Sequence, residues 1–147
     1  NEARHARSPE RSVAALQSHR SHEEVSRMSE TSIFDKTVYL DLVSELGRED
    51  TVEVLKAFLA DTSRKMEVMA SVASDRSTLK REAHSIKSSS ATFGFFELSA
   101  LARKLEAVAE TLTIAELLES VVALRQAFER TSQLAQTRLL TADSELA

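Results

Sequence analysis

After Pro9 the chain runs to residue 147 without another proline, and Gly47 and Gly94 are its only glycines. A sheet of this size needs a turn every few residues, and turns draw on Gly and Pro. A chain so poor in both is predicted to be all-α. With 42% hydrophobic residues there is enough apolar material for one core, and 147 residues suit one domain. No apolar run nears the ~20 residues needed to span a bilayer.

From Ile33 onward, apolar residues recur three and four apart, the period of a helix with one buried face. The first helix is expected over 35–46, with Phe34, Val38, Leu42 and Leu46 on one face and Gly47 as its stop. The second spans 49–73 and buries Leu55, Leu59, Thr62, Met66, Met69 and Ala73. The third, 75–92, opens at Ser74 or Asp75 as N-cap. The fourth, 95–110, carries Leu98, Leu101, Leu105, Val108 and Leu112. Thr113 and Glu116 form a capping box that opens the fifth, which runs to 138 through Leu117, Val121, Leu124, Phe128 and Thr131. Four long helices with short links predict an antiparallel four-helix bundle over 32–140, with the short first helix covering one end.

The stretch Ala83-His-Ser-Ile-Lys-Ser-Ser-Ser-Ala-Thr-Phe-Gly94 carries the chemistry. At about 100° per residue, Leu79, Ala83, Ile86, Ser90 and Phe93 fall in one narrow arc, and His84 lies roughly 140° from its middle. The helix therefore packs through its aliphatic stripe and turns His84 to solvent. Lys87 and Ser88, three and four residues on, share its side. The small residues Ser88 to Ala91 are poor choices for a surface helix, where Glu, Lys, Gln or Arg form helix better. An accessible imidazole beside an amine, kept clear of bulk, suits taking up and passing on a phosphoryl group. Lone exposed histidines on helices are usually plain surface residues, so the small-residue run is what turns the reading.

The motif resembles the histidine-containing phosphotransfer (HPt) domains of bacterial multistep phosphorelays. Their hallmark is His-x-Leu/Ile-Lys-Gly-Ser/Ala-Ser/Ala, then an apolar residue and Gly. His84, Ile86, Lys87, Ser89, Ser90, Phe93 and Gly94 match it. Outside the motif, Ile33-Phe34-Asp35, Ala57-Phe58-Leu59 and Leu98 to Glu106 extend the likeness over residues 32–138. Ser88 departs from the pattern, standing where the family most often has Gly.

The resemblance implies that His84 accepts a phosphoryl group from the aspartyl phosphate of a receiver domain, through Nε2, and hands it to another receiver. It implies that Lys87 neutralises the phosphoryl oxygens and that Ser88 donates a hydrogen bond. Ile86, Phe93 and Gly94 would shape the site, and Lys80, Arg81 and Ala91 would meet the receiver. No cofactor is expected on this chain, Mg²⁺ belonging to the receiver. The partners are response-regulator receiver domains, together with a hybrid sensor histidine kinase if the segment belongs to one. The domain is expected to be a monomer in the cytoplasm and a phosphocarrier rather than an enzyme. The other reading is a non-catalytic helical adaptor, or a pseudo-HPt regulatory module, with His84 incidental. An adaptor would show an apolar surface stripe left over after the core is filled.

Several classes are excluded. A self-contained kinase needs Gly-rich phosphate-binding loops, and this chain has two glycines in all. A net charge of −4 and no basic stripe interleaved with aromatics argue against nucleic acid. The absence of cysteine leaves no disulfide framework and no thiolate metal site. No second His or carboxylate sits at metal-ligand spacing around His84 in the sequence. Residues 1–31 hold Pro9 and many charges, with Val13 to Leu16 their only apolar cluster. They are expected to form a linker or tail. His19 and His22 stand three apart but lack a third metal ligand. The chain opens on Asn1 rather than Met, with Met28 as a candidate internal start, and the tail together with the missing initial Met leans toward a C-terminal module of a hybrid sensor kinase. Residues 141–147 are expected to fray.

Overall fold

A computed structural model describes residues 33–71 and 75–141. The expected tail, the His19–His22 pair and the last six residues lie outside the described residues. Among the described residues five helices follow in order: α1 Lys36–Leu46, α2 Arg48–Ser71, α3 Arg76–Phe93, α4 Phe96–Val108 and α5 Ile114–Leu134. A π turn, Ala135–Leu139, continues α5. There is no strand among the described residues.

Each boundary has a local cause. Asp35 caps α1 by accepting from the Thr37 amide at 2.9 Å. Asp75 caps α3, accepting from the Thr78 amide at 3.2 Å and the Thr78 hydroxyl at 2.8 Å. Ser74, the alternative cap, lies outside the described residues. The capping box at Thr113 and Glu116 forms with both bonds in place, 3.0 and 3.2 Å. Gly94 ends α3 in the left-handed region at φ +83°, and the Phe95 amide reaches back 3.0 Å to the Ser90 carbonyl, closing a Schellman turn.

The helices alternate in direction. Between α3 and α4, bonded residues step backward along one helix as they step forward along the other: Lys80 to Glu110, His84 to Glu106, and Ser99 to the Lys87 carbonyl. Between α2 and α3, Lys65 meets Ser85 and the Phe58 ring meets Phe93. α5 packs on α4 and α2, while α1 lies on α2 and α3.

The core corrects several seams by one helical position. In α1 the wholly buried residue is Tyr39, while Leu46 is exposed. In α2 the seam is Thr51, Leu55, Phe58, Thr62, Met66 and Met69, with Leu59 half-buried; Ala73 lies outside the described residues. In α4 it is Leu98, Ala102, Leu105 and then Ala109; Leu101, Val108 and Leu112 are half-buried. In α5, Ala127 and Leu134 join the seam and Phe128 is half-buried. Alanines allow helices to approach closely, so they take core positions that a search for large side chains passes over. The α3 seam, Leu79, Ala83, Ile86, Ser90 and Phe93, is the one expected.

At the Gly94 end, Phe34, Tyr39, Phe58, Phe93 and Phe95 form one aromatic cluster with centroids 5.0–5.9 Å apart. Phe95 anchors this turn, whereas Phe96 is exposed. Leu105 is 2% exposed in the α4 seam. Leu105→Ala should destabilise the bundle by ~2–5 kcal/mol through lost burial and the cavity left behind. An unchanged thermal melt would remove Leu105 from the core.

Candidate functional site

α3 exposes His84 because its packing face lies on the far side. The His84 side chain is 61% exposed, while the residue before it, Ala83, is fully buried. The seam therefore fixes the direction of the imidazole without enclosing it. Ser88 and Ala91, four and seven residues on, are exposed on the same side, so no bulky side chain from α3 overhangs the ring there. Among the neighbouring serines the buried Ser90 hydroxyl has no hydrogen-bond partner, but that of Ser89 turns inward on its own helix and donates to the Ser85 carbonyl at 2.9 Å. Such bonding lets serine sit in mid-helix without an unpaired hydroxyl.

Two side chains complete the site. The Glu106 carboxylate, on α4, lies 2.7 Å from His84 Nδ1 through one oxygen and 2.8 Å from Lys87 Nζ through the other. Glu106 thus bridges the imidazole and the amine that α3 places a turn apart. Its carboxyl is held below its ordinary value, first by the hydrogen bond from Lys87 and then by that from His84. A carboxylate with a lowered pKa stays charged through neutral and mildly acidic pH, and the clamp is lost only as pH falls through that lowered value.

The charged Glu106 accepts a hydrogen bond from Nδ1–H, which assigns the Nδ1–H tautomer to the neutral ring. The lone pair is then on Nε2, the other ring nitrogen. An accessible Nε2 lone pair, with an anion behind the ring to balance positive charge on it, makes a nucleophile. Lys87, 30% exposed, is held at the edge of this assembly by an ion pair.

Of the residues singled out in the sequence, His84 and Lys87 come together through Glu106, and Ser88 shares their open face. Ile86 and Phe93 are buried supports. Lys80 pairs with Glu110 at 3.3 Å and Arg81 with Glu82 at 3.6 Å. The proposed docking residues therefore form separate surface pairs, and Ala91 stands apart from both.

Glu106 lies in the stretch that extends the family likeness, but the sequence by itself assigns it no role beside His84. A signal was present. His84 and Glu106 each lie eleven residues from Phe95, the residue at which the chain reverses, so an antiparallel α3–α4 pair brings them level. Glu106→Gln keeps the shape and removes the charge. On the expectation that His84 takes up a phosphoryl group, the change should slow that uptake by roughly 10-fold, the order expected when a charge partner of a reacting group is lost. An unchanged single-turnover rate would reduce Glu106 to a structural pin.

The family model described as Hpt domain matches residues 53–138, more than half of the chain. No curated protein and no solved structure gives a match.

Proposed function

The chain belongs to the Hpt domain family, and from that premise we propose that His84 takes a phosphoryl group from a receiver-domain aspartate and passes it to another receiver. Members of the family are phosphocarriers that work with receiver domains in phosphorelays. The observation that carries the assignment to His84 is its geometry: a ring 61% exposed, with Nδ1 held 2.7 Å from a carboxylate.

In the step, the Nε2 lone pair forms a bond to phosphorus as the bond from phosphorus to the aspartyl oxygen breaks. The aspartate leaves with that electron pair as a carboxylate. The ring keeps its Nδ1 proton and gains a positive charge, which the Glu106 carboxylate offsets. Lys87 turns from Glu106 toward the phosphoryl oxygens, neutralising charge where it is densest. Ser88 donates a hydrogen bond from the same face. Mg²⁺ is supplied by the receiver, and this chain's part is positioning and charge. The reverse step, onto a second receiver, uses the same groups.

The adaptor reading has one observation in its favour. Ile114, Leu118 and Val122 stand 53%, 47% and 54% exposed, four residues apart on one face of α5. That stripe runs about 12 Å and offers three side chains, against the roughly 20–30 residues a side of a stable interface. It also leaves the His84–Glu106–Lys87 arrangement without a purpose, so the carrier reading is kept. Among the described residues no helix is long and apolar enough to cross a membrane.

The test is to mix the protein with phosphorylated receiver domains and follow the label. It should acquire an acid-labile, base-stable phosphoryl group, the stability of phosphohistidine rather than phosphoserine, and ATP alone should give nothing. Absence of labelling by every competent receiver would return the adaptor reading.

A further inference from the structure

A second lysine–carboxylate pair, on α2, meets α3 at Ser85, the residue after His84. Lys65, on α2, reaches across to α3 and places its ammonium 2.5 Å from the Ser85 hydroxyl. It also lies 2.8 Å from Asp61 Oδ2. Ser85 follows His84 directly and points about 100° further round α3, so the Lys65 ammonium meets the turn that carries the imidazole on its α2 flank. The Lys65 side chain is 19% exposed, whereas that of Arg64 beside it is 73% exposed. An ordinary surface lysine extends into water. This one lies along the α2–α3 groove, with Ser85 and Asp61 as its termini. The Asp61 carboxyl is held below its ordinary value, chiefly by the hydrogen bond from Lys65, so the pair is charged on both sides.

We infer that Lys65 is a positioning residue for the phosphorylated state, setting the charge on the α2 side of His84 while Asp61 moderates it. The inference rests on the phosphocarrier reading and adds to it a residue outside the His84–Lys87 motif. A phosphohistidine brings about two negative charges to a site that already holds the Glu106 carboxylate. Lys87 answers them from the α4 side and Lys65 from the α2 side. Ser85 is the anchor that keeps the ammonium beside the turn of α3 carrying the imidazole, and Asp61 keeps it from over-stabilising phosphate that must leave again. The balance of the two charges then determines how phosphate divides between this protein and its receiver.

The experiment measures that division at equilibrium, using a receiver domain that labels the wild-type protein. Lys65→Met should shift phosphate toward the receiver by about 3–10-fold, the order expected for one charge acting near the phosphoryl group. Asp61→Asn should shift it the other way, toward His84, by a similar factor. Lys65→Arg should stay near wild type. At 1 M salt, where the screening length falls to about 3 Å, the three variants should converge. A structural role alone predicts something different: Lys65→Met and Asp61→Asn would move together and the shift would survive salt. That outcome, or two variants indistinguishable from wild type, overturns the inference while leaving His84 as the carrier. A wild-type protein that accepts phosphate from no receiver overturns the carrier reading instead.

Discussion

His84→Gln should abolish phosphoryl uptake from every receiver that labels the wild-type protein, and the melt should move by a few degrees at most. The first half follows from chemistry. An amide has no nitrogen lone pair available for attack, and Ser85, Ser88 and Ser89 lack a neighbouring base to activate them. The second half follows from exposure. The imidazole is 61% exposed and its bond to Glu106 is at the surface, where ion pairs contribute little to stability. Glutamine preserves the side-chain reach, so Glu106 retains Lys87 and can still find a donor. Label retained on the variant, at any of its serines, would dismiss His84. A large fall in the melting midpoint would mean that the ring is structural.

Gly94→Ala should have the largest effect on stability of any single methyl added to this protein. At φ +83° an L-residue is strained, at a cost of roughly 1–2 kcal/mol. The added Cβ would also stand 2.5 Å from the Asp35 carbonyl oxygen and 3.1 Å from the Val38 Cβ. The first of these is backbone and cannot turn aside. The same residues hold a bond from the Asp35 amide to the Gly94 carbonyl, at 2.7 Å. The methyl therefore separates the start of α1 from the α3–α4 turn. A total loss of roughly 2–4 kcal/mol, on the order of 10 °C in the midpoint, is expected. Hydrogen exchange localises it: the α1 amides should lose protection first while α3 to α5 retain theirs. Unchanged exchange in α1 would show that the turn accommodates the methyl by another route.

The helices were legible because long amphipathic stretches and explicit caps agree with one another. Asp75, Thr113 and Gly94 each mark a boundary by a side-chain oxygen or a positive φ, features that are local in sequence. The α3 seam was read correctly for the same reason, since Gly94 gives it a firm end to count from. The α4 seam was not. Leu101 and Val108 look like core residues by size, yet Ala102 and Ala109 occupy the tighter space between helices. Glu106 and Lys65 were less accessible still. Each owes its meaning to a residue on another helix, 22 and 20 positions away, and a pattern within one helix carries no information about the register of its neighbour. His84 and Lys87 were found because their spacing lies within a single turn.

The mirror placement of His84 and Glu106 about Phe95 has a bearing on insertions and deletions. Adding one residue between Phe95 and Glu106 would turn the carboxylate by about 100° around α4 and carry it ~1.5 Å along the axis. Both of its partners would be lost together. The length of the intervening chain is thus as much a part of the reactive centre as the imidazole itself, although most of those residues touch no reacting atom. Variants that differ in length should be tolerated where α4 gives way to α5 and resisted at the Gly94 turn, whatever residues they bring.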